Sequence, residues 1–268
     1  MMLSPLEIAL LFGAFFLVSF VFMMFGQGGG AIYVPMLLAF GLPFYKAAAT
    51  SQVLILAATL SALLVFQRAK MIDWGLVLLV EPPTNLGAFL GGYFSPYFPP
   101  SFSKLVFSGI LLIGAYFMIR PLKEKASPEG PKKWYQWERR IGTHHYRLNV
   151  VLILPLMVLA GFIAGMLGVG GGLFKVPAVV LLGGVPMKIA VGSSSLMIGV
   201  TALTGLVGHA LVGHFDPRLS LILGVAVFCG AALGARAGVR IDRRKHKKYF
   251  GYLLIFVALW MALSAFKG

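Results

Sequence analysis

The sequence holds one cysteine, Cys229, and only eight acidic residues among 268. A single cysteine excludes an intrachain disulfide and leaves no cysteine-based metal site or redox pair. No GxxxxGK[ST] loop occurs, which excludes ATP-driven transport by this chain alone, and no Gly-x-Ser-x-Gly elbow or helix-borne pair of metal-binding His residues is present. Charge is scarce as well: 12% of residues are charged, although 23 Lys and Arg against eight Asp and Glu leave a net +15.

Apolar residues dominate instead. They make up 59% of the chain, and the mean hydropathy is +0.90. That exceeds what one water-soluble core can hide, so the chain reads as an integral membrane protein facing a lipid bilayer. Each spanning helix takes roughly 20 apolar residues plus a connection, which allows about eight to ten segments and no separate soluble domain. The opening residues MMLSPLEIALLFGAFFLVSF lack the basic stretch of a signal peptide and are read as a retained first helix. Eight long apolar segments fall at about 6–26, 46–66, 75–94, 102–120, 148–168, 189–212, 217–235 and 249–266. Two shorter ones, 31–40 and 173–182, each follow a glycine run.

The positive charge is concentrated. Residues 120–147 hold eight Lys/Arg against three Glu, and residues 236–248 hold seven against one Asp, together +11 of the +15. No nucleic-acid-binding motif accompanies them, so they are read as cytoplasmic loops that orient helices, with no nucleic acid as partner. The chain thus divides into a first transmembrane repeat (1–120), a basic linker (121–147) and a second transmembrane repeat (148–268).

The word repeat is literal. GQGGGAIYVP at 26–35 matches GVGGGLFKVP at 168–177, an offset of 142. At an offset of 143, Pro43 matches Pro186, Ala47 matches Ala190, Thr50 and Ser51 match Ser193 and Ser194, and Asp73 matches Asp216. Gly87, Ala88, Leu90 and Gly91 match Gly230, Ala231, Leu233 and Gly234. Equivalent loops carry opposite charge bias: residues 93–102 have no Lys or Arg where the counterpart from 236 has seven, and Arg68 and Lys70 face an unbasic counterpart at 209–217. The positive-inside rule therefore makes the repeats inverted, with both termini outside. Inversion needs an odd number of net crossings per half, so each short segment either supplies the missing crossing or pairs with a neighbour to make none. The expected fold is all-α, with about eight long helices and two short broken ones, the architecture of many secondary transporters.

Glycines at spacings of four (Gly87, Gly91; Gly230, Gly234, Gly238) suit close helix packing, and exposed small-residue faces are compatible with a homodimer. The GGG runs differ. A broken backbone inside a membrane survives only where protein or a water-filled cavity satisfies it. A half-helix restarting at Ala31 or Leu173 aims unpaired N–H groups and a partial positive charge at the break, which suits an anion.

The two motifs, each followed by proline and a small polar cluster (AAATSQ; AVGSSS), resemble the duplicated signature of the sulfite exporter TauE/SafE family, the TSUP permeases. The resemblance covers both halves outside the linker. It implies a multi-pass permease that moves sulfite, sulfoacetate or other sulfonates, usually outward; the residues themselves suggest no catalytic group, cofactor or metal.

The candidate substrate-binding residues are Gln27, Gly28, Gly29 and Gly30 with Thr50, Ser51 and Gln52, and Gly170, Gly171 and Gly172 with Lys175, Ser193, Ser194 and Ser195. The hydroxyls either line the site or serve as plain N-caps. The three oxygens of a sulfonate accept hydrogen bonds that backbone N–H and hydroxyl groups can donate. Lys175 stands where repeat one has Tyr33; it either faces the cavity or snorkels to an interface. Glu81, within EPPTN, either carries a coupling proton or is paired structurally, near Arg68 or Lys70. His209, beside His214, is a surface residue or a second proton relay. Two other readings are weighed against the carrier: an anion channel, and an intramembrane serine hydrolase using Ser193, Ser194 or Ser195 with His209.

Overall fold

The computed structural model describes residues 5–120, 131–141, 144–215, 217–240 and 243–266. The first half comprises α1 (Pro5–Met24), α2 (Gly30–Ala39), α3 (Phe44–Arg68), α4 (Trp74–Phe94) and α5 (Pro100–Ile119), with a 3₁₀ turn at Ser95–Tyr97. The second comprises α6 (Val150–Leu167), α7 (Gly172–Gly183), α8 (Met187–Leu211), α9 (Pro217–Arg240) and α10 (Arg243–Phe266). Long, short, long, long, long: the order is the same in both halves.

Eight of these helices have 18 residues or more. Six, namely α3, α5, α6, α8 and most of α9 and α10, are long and apolar enough to cross a membrane. The polar EPPTN stretch lowers α4, which packs between α6 and α8. Residues such as Leu78, Leu221 and Phe256 stay about 70% exposed on helix faces, the pattern of a protein whose solvent is lipid.

The linker is more ordered than a plain polar connection. Its residues 121–130 and 142–143 lie outside the described residues, but β1 (Gln136–Ile141) and β2 (His144–Asn149) form an antiparallel hairpin pairing Trp137 with Leu148 and Glu138 with Arg147. Asp73 explains the hairpin's position. Its carboxylate caps α4 by accepting from the Gly75 and Leu76 N–H groups, and it also accepts from Arg139 Nε at 3.2 Å and from the buried Tyr146 hydroxyl. The stretch 236–248, expected as a loop, is mostly the end of α9 and the start of α10; residues 241–242 and the expected match Asp216 lie outside the described residues.

The halves pack by exchange. α4 lies on α6 and, equivalently, α9 lies on α1; α4 lies on α8 and α9 on α3; α3 meets α8 and α5 meets α10. Glycine makes the closest approaches possible: a methyl group on Gly91 would sit 1.9 Å from Phe162 O, and one on Gly234 would sit 2.1 Å from Phe20 O. The small-residue stripes are therefore used for packing within the chain. Gln52 lies against Gly205 and Thr59 against Gly199, so α3 and α8 run antiparallel. Lys104 reaches Ser264 O and Ser108 reaches Ala258 O, so α5 and α10 do too. Gly183, ending α7, lies against Leu148 just before α6, so α7 brings the chain back toward the end where α6 began.

Candidate functional site

Both glycine runs form real breaks. Gly28 and Gly29 have φ of 69° and 89°, and Gly170 and Gly171 have 69° and 80°, a region that side chains disfavour. Gly29 and Gly171 are the N-caps of α2 and α7 and have no side chain to satisfy the first turn. The N–H groups of Gly30 and Ala31, and of Gly172 and Leu173, find no acceptor among the described residues, and all four residues are buried.

The two breaks touch. A methyl on Gly30 would lie 2.9 Å from Val169 Cα, and one on Gly172 would lie 3.6 Å from Gln27 Cα. Over them close two residues absent from the sequence candidates, Ile55 of α3 and Ile198 of α8. Methyls on Gly28 would meet their side chains at 3.2 and 3.1 Å, and methyls on Gly170 at 3.2 and 2.7 Å. The signal that could have found them is their match at the 143-residue offset.

The hydroxyl clusters lie about two turns inside their helices, since α3 and α8 are entered through Pro43 and Pro186, so the N-cap alternative falls. Each cluster faces the break of the other half. Ser51 Oγ donates to Gly168 O at 2.7 Å and Gln52 Nε2 to Gly165 O at 2.8 Å, while Ser195 Oγ points to Met23 Sδ at 3.6 Å. Ser193 Oγ accepts from the Asp73 N–H at 2.8 Å, away from the breaks. Thr50 Oγ1, Ser194 Oγ, Gln27 Oε1 and Gln52 Oε1 are buried without a hydrogen-bond partner, and Gln27 Nε2 has only Met118 Sδ at 3.9 Å.

Lys175, in the first turn of α7, is fully buried and does not snorkel. Its ammonium lies 2.5 Å from Glu81 Oε1, 2.5 Å from Thr201 Oγ1 and 3.1 Å from Met197 O, and Thr201 Oγ1 also donates to Glu81 Oε2 at 3.2 Å. Glu81 is therefore paired, but with Lys175 of the other half rather than with Arg68 or Lys70. At 1.5 Å per residue it stands about 12 Å into the bundle from Asp73.

His209 is buried, not a surface residue. Its Nε2 is 3.0 Å from Gly165 O, and its Nδ1 lies 3.3 Å from Ser95 Oγ and 3.4 Å from His214 Nδ1. Gly165 O, near the end of α6, thus receives both Gln52 and His209. Ser195 and His209 are 14 residues apart on one helix, about 21 Å, so no serine–histidine pair forms.

The model of a family described as "Sulfite exporter TauE/SafE" matches residues 11–261. The chain belongs to the sulfite exporter TauE/SafE family. It is similar to a "Probable membrane transporter protein YunE" of Bacillus subtilis (strain 168), at 30% identity covering 83% of this chain and 84% of the relative. It is also similar to a "Probable membrane transporter protein YfcA" of Escherichia coli (strain K12), at 27% identity covering 97% and 90%. A relative in Haemophilus influenzae, again a "Probable membrane transporter protein", is 27% identical over 95% and 92%. No solved structure matches the chain. As a TauE/SafE family member the chain is a multi-pass membrane transporter.

Proposed function

We propose that this transporter is a secondary carrier of sulfur-containing anions (sulfite, sulfoacetate or another organosulfonate) that exports them through the inner membrane by alternating access. The carrying observation is the meeting of two buried helix N-termini, each with two unpaired N–H groups, together with the buried, unpartnered Thr50 and Ser194 hydroxyls on α3 and α8. A sulfonate offers three acceptor oxygens to such donors, and the helix ends add partial positive charge without a mobile cation. Ile55 and Ile198 make this conformation closed over the breaks.

Inverted repeats support the alternation. Equivalent helices α3 and α8, and α5 and α10, are antiparallel, as an inverted pair requires. The hairpin's contact with Asp73 puts the linker and the Arg68–Lys70 turn at the same end, in keeping with a cytoplasmic assignment of both.

The test is counterflow of labelled sulfite and isethionate into proteoliposomes holding the purified chain. A carrier gives saturable counterflow, which Gly29→Leu and Gly171→Leu each abolish while the protein stays in the membrane. Flux that rises linearly with the gradient indicates a pore, and normal flux in both variants removes the breaks as the site.

A further inference from the structure

An ammonium has three N–H donors, and all three of Lys175 are engaged, by Glu81, Thr201 and Met197 O. An anion arriving at the first turn of α7 therefore meets a cation already neutralised. It can bind Lys175 only where Glu81 lets go. Leaving two negative charges against one ammonium, away from water, is costly, because a buried charge without a partner loses its hydration for nothing. The balance is kept when Glu81 becomes neutral as the anion arrives.

Among the described residues, the elements packed on α4 offer no other proton acceptor to do this. α6 presents no titratable side chain to α4, and α7 presents Lys175 alone. α8 carries Thr201, the exposed Lys188 at its start, and His209, whose ring nitrogens are occupied about 12 Å further along with Gly165 O, Ser95 and His214. In the 3₁₀ turn Tyr97 is exposed, and at the start of α4 Asp73 is held by Arg139 and Tyr146. α4 is also pliable at this point: Pro82 and Pro83 bring no N–H, so the carbonyls of Leu78 and Leu79 have no helical donor.

We propose, resting on the anion-carrier reading above, that Glu81 is a displaceable counter-ion. A monoanion replaces it on Lys175 while the Glu81 carboxylate takes up one proton from the same side, and both leave together on the other side. The site is then neutral when empty (ammonium and carboxylate) and neutral when loaded (ammonium, anion and carboxylic acid). Transport is a one-to-one, electroneutral proton–anion symport, whose direction follows the product of the two gradients. An anion made inside the cell by an acid-forming reaction leaves with its proton.

The experiment uses the full chain in proteoliposomes that contain a pH-sensitive dye, with potassium and valinomycin setting the membrane potential. The probe is methanesulfonate, which stays ionised throughout and carries no proton itself. External methanesulfonate is expected to acidify the lumen by one proton per anion, at a rate that an imposed potential does not change. Glu81→Gln is expected to exchange labelled methanesulfonate across the membrane while the lumen no longer acidifies. If that variant is lost from the membrane, Glu81→Asp is expected to keep the one-to-one ratio and shift the pH of half-maximal flux by about half a unit or more. Flux without acidification, flux that follows the potential, acidification by Glu81→Gln, or an unshifted pH profile in Glu81→Asp overturns the coupling alone. No methanesulfonate or sulfite flux in the unaltered chain removes the carrier reading, and the coupling with it.

Discussion

Lys175 of α7 and Glu81 of α4 stand 94 residues apart in the chain, yet their charged groups meet at 2.5 Å with both side chains almost wholly buried. They join the two halves of the protein at the level of the glycine breaks. Removing either partner strands a charge in the bundle, so Lys175→Met and Glu81→Ala should each destabilise by about 3–5 kcal/mol. The double variant Glu81→Leu with Lys175→Met should recover most of that loss. Thermal unfolding in detergent measures it; additive losses in the double variant would show that the two residues are not coupled.

Helix approach gives a second prediction. A methyl on Gly91 collides with Phe162 O, whereas one on Gly109 of α5 meets nothing within 4 Å. Gly91→Ala should cost about 1–3 kcal/mol by forcing α4 from α6. Gly109→Ala should stabilise by about 0.5–1 kcal/mol, because it removes only the flexibility of glycine in a helix. Equal effects of the two substitutions would contradict the observed approach.

These contacts show what the sequence made legible. Both short helices begin within a residue of their expected starts, because glycine at positive φ and the prolines at 43 and 186 encode their limits locally. The glycine stripes were equally readable, since spacing alone marks a helix face. The partner of Glu81 was not. Arg68 and Lys70 are its near neighbours in sequence, but α4 packs on α6 and α8 of the other half, and only that exchange brings Lys175 to it. The hairpin was hidden for a similar reason. QWERRI and HHYRLN are polar strings whose ordering depends on Tyr146 and Leu148 finding burial against Asp73 and Gly183.

The hairpin supplies a third prediction. Tyr146→Phe and Arg139→Ala each take a donor from the buried Asp73 carboxylate, at a cost of about 1–3 kcal/mol. Trypsin should then cut at Arg140, the site both variants keep, several-fold faster, and unchanged digestion would show that Asp73 does not hold the hairpin. Burial and the adjacent Asp73 carboxylate push the Tyr146 phenol up, so it stays a donor through the alkaline range.

Acid acts on the hairpin's other face. The hydrogen bond from His145, aided by Arg147, holds the Glu138 carboxyl below its ordinary value of 4.5. A carboxylate shifted down contributes fully above its unfolded pKa, and the contribution disappears as pH falls through the folded value. Protease sensitivity at Arg139 and Arg140 should therefore be flat above pH 5 and rise only below about 4.5. A rise between pH 5 and 7 would contradict the assignment to Glu138.

Ile55 and Ile198 occupy equivalent places over the same two glycines. Ile55→Ala and Ile198→Ala should each cost about 2–5 kcal/mol and raise passive methanesulfonate leak to a similar extent. A leak in one variant alone would mean that the two halves do not close the breaks together.

The central claim is that the two breaks make a single anion site. Isothermal titration of sulfite and methanesulfonate into the purified chain tests it most directly. The account predicts one anion per chain, with all binding lost in Gly29→Leu and, separately, in Gly171→Leu. Two anions per chain, or variants that each lose only half of the binding, would contradict it.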